Sequence, residues 1–158
     1  MTRSIDDMLA DARARIRRLD PAQTRAAMSG GALLVDIRPV WQRAEYGAFP
    51  GALVIERNHL EWRLDPASSA HISAATDHEV EVVVACQEGY SSSLAAAALV
   101  ELGLHRSADL AGGFRAWQEA GLPTEPAPPS ITAATTSPTR DDQRCHDHGI
   151  RGFSSPKP

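Results

Sequence analysis

The spacing of apolar and polar positions divides most of the chain into short segments of two alternating kinds. Between Ser4 and Arg18, the residues Ile5, Met8, Leu9, Ala12 and Ile16 recur near helical spacing, which predicts a helix. Its end is ambiguous, because Arg17-Arg18-Leu19 alternatively opens a short edge strand. Asp20-Pro21 is a helix start, with Asp as N-cap and Pro at the first helical position. That helix is predicted to reach Met28 and to stop at Gly30-Gly31. Residues 32–37 form an apolar run with Asp36 near its end, read as a buried strand. Residues 39–46 read as a helix, Phe49-Pro50-Gly51 as a turn and residues 52–55 as a second strand. A helix around His59 to Leu64 stops before Pro66. Residues 79–85 are the most strand-like segment, and Cys86 stands at their end. An alanine-rich helix from Ser91 to Leu102, a strand from Ser107 to Leu110, a Gly112-Gly113 turn and a helix from Phe114 to Ala120 complete the pattern.

Strands alternating with helices predict an α/β fold with a largely parallel sheet. In such sheets ligands bind beyond the carboxyl ends of the strands. Asp36, Glu56 and Cys86 all occupy such ends, which gathers them on one edge. Beyond residue 125 the pattern is lost. The stretch PAPPSITAATTSPTR has little to bury and predicts a flexible linker, with a polar, disordered end after it. The expected organisation is an N-terminal helical extension (1–15), one α/β domain (16–125) and a tail (126–158).

Composition narrows the function classes. A net charge of −4 argues against nucleic acid as a main partner. No apolar run reaches the roughly 18 residues of a membrane span, and the charged start lacks the apolar core of a signal peptide. Two cysteines, Cys86 and Cys145, are too few for a disulfide scaffold. The expected setting is a reducing cytoplasm, in which a free working thiol persists.

The segment from Val82 to Ser92 carries the chemistry: strand, cysteine, small polar loop, helix. A loop of this kind turns backbone N–H groups toward one point, and the following helix adds its positive end. An anion there is stabilised. If it is the sulfur of Cys86, the thiolate is available near neutral pH, and a persulfide would be held by the same donors. Gly89 permits the sharp turn. A buried cysteine that merely ends a strand is an equally good reading of these residues alone.

Four pieces in order then resemble the rhodanese-like family. They are Leu34-Val35-Asp36-Ile37-Arg38, Phe49-Pro50-Gly51-Ala52, the loop Cys86-Gln87-Glu88-Gly89-Tyr90-Ser91, and the ending Asp109-Leu110-Ala111-Gly112-Gly113-Phe114-Arg115-Ala116-Trp117. The resemblance implies an open, mainly parallel β-sheet flanked by helices on both faces. It implies a sulfurtransferase with Cys86 as nucleophile and Gln87, Glu88, Gly89, Tyr90 and Ser91 as the cradle of a persulfide. It implies no metal and no cofactor, a small sulfur donor, and a small-molecule or protein thiol as acceptor. Two departures stand out. Family members that act on thiosulfate usually place Arg or Lys in this loop, whereas here it has neither and carries Glu88. Phosphatases of the same broad fold need Cys-x5-Arg, and the position six after Cys86 is Ser92.

Arg57 is a candidate to bring positive charge to the mouth of the site; a surface ion pair with Glu56 or Glu61 competes with that role. Asp36 and Arg38 are read as scaffolding, Arg43 as a solvated helix residue, and Phe114 and Trp117 as core. Tyr90 either gates the loop or packs. Ser91 and Ser92 are expected to cap the helix after the loop. Cys145-His146-Asp147-His148 is too crowded for a usual structural zinc site and is read as tail, though Cys145 could serve as a resolving thiol. The competing functions are therefore a persulfide-forming enzyme, a non-catalytic binding module of the same fold, and a redox sensor using Cys86.

Overall fold

A computed structural model describes residues 2–127 of the chain. Residues 128–158, with most of the linker and the Cys145–His148 cluster, lie outside the described residues. Five strands form one sheet: β1 (Arg17–Leu19), β2 (Leu33–Asp36), β3 (Leu53–Val54), β4 (Val82–Ala85) and β5 (Ser107–Leu110). Their order is β1-β5-β4-β2-β3, and every pairing is parallel. Among the described residues there are six α-helices: α1 (Ile5–Ala14), α2 (Pro21–Ser29), α3 (Val40–Tyr46), α4 (Leu60–Leu64), α5 (Ser91–Glu101) and α6 (Gly113–Glu119).

The apolar run Val82-Val83-Val84-Ala85 is central because it is apolar on both sides. A parallel strand covered on both faces has no solvent side to reserve for polar residues. All four residues are buried, and the side chains alternate between two cores. On one face Val82, Val84 and Cys86 join Val35, Leu60, Leu64, Ala95, Ala96 and Leu99 beneath α4 and α5. On the other, Val83 and Ala85 join Leu34, Phe49, Phe114 and Trp117, with Ala27 and Met28 of α2. Helices therefore flank both faces. Phe49 meets Phe114 and Trp117 edge-on, with centroids 4.8 and 5.3 Å apart.

Local signals account for several boundaries. Ser4 and Asp20 each form a capping box, with Asp7 and Gln23 respectively, and Pro21 opens α2. The first helix ends at Ala14, so Arg17-Arg18-Leu19 is the edge strand, paired with Ala108-Asp109-Leu110. The strand at 79–85 is shorter than its sequence suggests and begins at Val82. The N-terminal helix is a packed part of the domain, burying Ala12 and lying against α5.

Candidate active site

The sheet register explains how two carboxylates come to lie beside the end of β4. Asp36 pairs with Ala85 and Asp109 with Val84. Paired residues of a parallel ladder share a face, so Asp109 points to the α5 side with Val84, and Asp36 to the α6 side with Ala85. Both are buried. Each has found an arginine, as a buried charge requires. Asp36 binds Arg38 through both oxygens, with Nη2 2.7 Å from Oδ2. Asp109 binds Arg18, with Nε 3.0 Å from Oδ1.

Cys86 follows β4 at the floor of a cavity of about 380 Å³, lined by Arg38, Gln42, Tyr46, Gln87, Glu88, Tyr90 and Ser91 among others. The first turn of α6 shapes the loop from below. The N–H groups of Phe114 and Arg115 donate to the carbonyls of Cys86 and Gln87, at 2.9 and 3.1 Å. These are helix-terminal donors with no partner inside their own helix. Holding the carbonyls there leaves the loop's own N–H groups free for the opposite side, and that of Gly89 donates to Cys86 Sγ at 3.2 Å. Gly89 has φ +81°, and a Cβ on it would lie 2.6 Å from Gly112 N. Only glycine fits that approach.

Burial pushes the Cys86 thiol up. Hydrogen bonds from the side chains of Ser91 and Ser92 and from the N–H groups of Ser92 and Gly89 outweigh it, so the net shift is downward from the ordinary thiol value. The site can therefore hold a sulfur anion without a metal or a cationic side chain in the loop. Among the described residues no group of three or more His, Cys, Asp or Glu side chains is placed to hold a metal ion.

The structure brings Cys86, Gln87, Glu88, Gly89, Tyr90 and Ser91 together, and leaves Arg57 out. Arg57 Nη1 bonds Glu61 at 2.8 Å, and its side chain lines a separate cavity between α1 and α5. Glu56 likewise lines a different cavity, of about 940 Å³, beside Leu53, Trp62 and Ile72; that larger cavity contains no cysteine. Glu88 lines the Cys86 cavity, 3.7 Å from Arg115 Nη1. Tyr90 is exposed, with the Arg13 guanidinium 5.6 Å from its ring centre. Arg38 scaffolds, and also donates to Gln87 Oε1 at 2.9 Å and to the Gly47 carbonyl at 2.9 Å.

Two further expectations are corrected. Arg43 is buried, not solvated, because its guanidinium donates to the Arg38 carbonyl. Ser91 and Ser92 do not cap α5: Tyr90 occupies the N-cap, without a side-chain cap bond. Ser92 and Ser93 instead point inward to Asp109, with Oγ to Oδ2 distances of 3.2 and 2.7 Å. The readable signal was Asp109 itself, a charge inside a short buried strand that demanded partners from elsewhere.

The family profile of the rhodanese-like domain matches residues 20–120. The chain belongs to the rhodanese-like family. It is 33% identical over 102 residues to the thiosulfate sulfurtransferase GlpE of Stutzerimonas stutzeri, covering 65% of this chain and 84% of that one. The GlpE of Actinobacillus succinogenes is 34% identical over 96 residues, covering 61% and 78%. Among solved structures, a Rhodopseudomonas palustris protein of unknown function, described as a possible tyrosine phosphatase, superposes with a TM-score of 0.72 at 34% identity, covering 79% of this chain and 96% of that one. The thiosulfate sulfurtransferase of Pseudomonas aeruginosa shares the rhodanese-like fold, with a TM-score of 0.62 at 21% identity over 78% of this chain and 23% of that one.

Proposed function

We propose that this rhodanese-like chain is a sulfurtransferase that stores sulfane sulfur on Cys86. The observation that carries the reading is the Gly89 N–H aimed at Cys86 Sγ, 3.2 Å away, on the floor of an open cavity. The Cys86 thiolate attacks the outer sulfur of a donor such as thiosulfate. The donor's sulfur–sulfur bond breaks, sulfite leaves with the electron pair, and Cys86 becomes a persulfide. A thiol or cyanide acceptor then attacks the outer sulfur and returns the thiolate. Splitting the transfer in two needs no cofactor. The two GlpE relatives are named for thiosulfate; the loop of this chain, with Glu88 and no cation, favours a donor of lower charge. A reducing cytoplasm, where Cys86 stays free, suits this chemistry.

Phosphate-ester hydrolysis is the second reading, raised by the Rhodopseudomonas palustris neighbour. Ser92 stands where a phosphatase would need its clamping Arg. Mass spectrometry after incubation with thiosulfate or an organic persulfide tests both. The expected result is a dithiothreitol-sensitive sulfur adduct on the Cys86 peptide, absent from Cys86→Ser, with no turnover of a phosphate ester. Undiminished transfer by Cys86→Ser would sink the mechanism.

A further inference from the structure

The Cys86 loop has no cation among its own side chains, yet two guanidinium groups converge on its back. Arg13 Nη2 and Arg18 Nη2 each donate to the Gly89 carbonyl at 3.0 Å. Ser93 Oγ lies 3.3 Å from the same carbonyl, but its one proton is directed to Asp109 at 2.7 Å. The peptide that carries this carbonyl is trans. Its N–H, on Tyr90, is therefore turned away from the arginines. Arg18 also holds Asp109, and Arg13 Nε donates to Ser93 Oγ at 3.2 Å. Among the described residues Arg13 forms no ion pair with a carboxylate, so its charge is spent on the loop. Both arginines precede residue 20, where the family match begins. They come from α1 and β1, ahead of the residues that the family profile matches.

We propose that Arg13 and Arg18 are positioning residues for the Cys86 loop. They clamp the Gly89 carbonyl from behind, and supply through the backbone the positive charge that the loop's side chains lack. The clamp serves the thiolate and, on the sulfurtransferase reading on which this purpose rests, the terminal sulfur anion of the persulfide. The N-terminal helix is then part of the working site.

The thiol itself reports the effect. The charged groups around it are Glu88 with its α6 partner Arg115, the Asp36–Arg38 pair after β2, and the Asp109–Arg18–Arg13 set; Tyr46 and Tyr90 are the neighbouring phenols. In the test the full chain is alkylated with iodoacetamide across a pH series, and the Cys86 peptide is followed by mass spectrometry, which separates it from Cys145. Arg13→Met should move the midpoint up by about half a pH unit, roughly a threefold loss of rate below the midpoint. Arg13→Lys should restore most of it. Arg15→Met, at the C-cap of the same helix and paired with Glu101 away from the loop, should change nothing. Arg13→Gln replaces the Met variant if that one fails to fold. An unmoved midpoint on removing the Arg13 charge, or an equal shift in Arg13→Lys or Arg15→Met, overturns the clamp. A midpoint that shifts as expected in a protein that gains no sulfur from any donor sinks the sulfurtransferase reading instead and leaves the clamp standing.

Discussion

The hydroxyl oxygen of Ser92 lies 3.3 Å from Cys86 Sγ, and it can give that sulfur a hydrogen bond only by turning its proton away from Asp109. Asp109 tolerates the loss, because Ser93 and Arg18 still donate to it. In the thiol state Cys86 donates to Ser92; in the thiolate state the direction reverses. Burial raises the thiol pKa, and the Ser91, Ser92 and Gly89 bonds bring it below the ordinary value. An acid with a lowered pKa keeps its anion to lower pH. Cys86 reactivity should therefore rise with pH, level off sooner than for an ordinary thiol near about 8.5, and fall only as pH drops through the lowered value. Ser92→Ala should move that midpoint up. A hydrogen bond to a charged group contributes about 1.5 kcal/mol or more, so the midpoint should rise by about one pH unit, and the alkylation rate well below it should fall about tenfold. Alkylation rates across pH check this; an unmoved midpoint would show that Ser91 and the backbone suffice.

The parts of this site that were legible in the sequence are those set by neighbours along the chain. The run of residues 79–85 announced a strand, although it begins only at Val82, and Asp20-Pro21 announced a helix start. Cys86-Gln87-Glu88-Gly89 announced the loop. What escaped was polar and long-range. Arg18 and Asp109 are 91 positions apart, and Arg13 and Gly89 are 76 apart. No local pattern joins them. Arg43 was misread because a lone charge on a short helix looks solvated until a carbonyl claims it. Ser92 was misread because a serine just after a loop is a good cap by type, while its actual direction is fixed by Asp109 on the neighbouring strand.

The Asp36–Arg38 pair should be far more important to stability than its position near the surface of the site suggests. Both side chains are almost fully buried. The guanidinium also lies 4.1 Å from the centre of the Phe114 ring and holds Gln87. Arg38→Met leaves a buried carboxylate unpaired and should cost about 3–5 kcal/mol. Replacing both, as Asp36→Leu with Arg38→Met, should recover much of that loss while leaving Gln87 without its anchor. Urea unfolding midpoints of the three proteins check the first part. A double variant no more stable than Arg38→Met would mean that the pair's other bonds, to Gly47 and Gln87, carry the stability.

Gly113, the first residue of α6, should not be interchangeable with other turn glycines. Gly113 has φ +61°, and a Cβ there would lie 2.4 Å from the Cys86 carbonyl oxygen and 2.7 Å from Glu88 N. Gly121 has φ +70° but nothing within 4 Å of its would-be Cβ. Gly121→Ala pays only the left-handed backbone penalty, about 1 kcal/mol. Gly113→Ala adds a collision with the loop backbone and should cost roughly 1–3 kcal/mol more. It should also slow Cys86 alkylation, because the loop must shift. Melting temperatures and alkylation rates measured together separate the two effects; equal behaviour of the two variants would show that the loop yields without strain.

Donor charge should matter, with Glu88 and Arg115 acting in opposition. The Glu88 side chain is more than half exposed, lines the Cys86 cavity and lies 3.7 Å from Arg115 Nη1, while Arg115 Nε bonds Glu119 at 3.0 Å. Thiosulfate arrives as a dianion. A carboxylate a few ångströms from it opposes entry by about 1 kcal/mol in water-like surroundings, close to a fivefold effect on rate. Arg115 screens part of that, but shares its charge with Glu119. Glu88→Gln should raise kcat/KM for thiosulfate up to about fivefold, and Glu88→Arg should raise it further. Arg115→Gln should lower it by exposing the carboxylate. A neutral persulfide donor should respond less in every case, and added salt should compress the differences, because exposed charges are screened within about 10 Å at 0.1 M. The check is kcat/KM for both donors in the four proteins at two ionic strengths. Equal thiosulfate values in wild type and Glu88→Arg would mean that the side chain stays clear of the entering donor, leaving the backbone cradle and the charges behind it to set the preference.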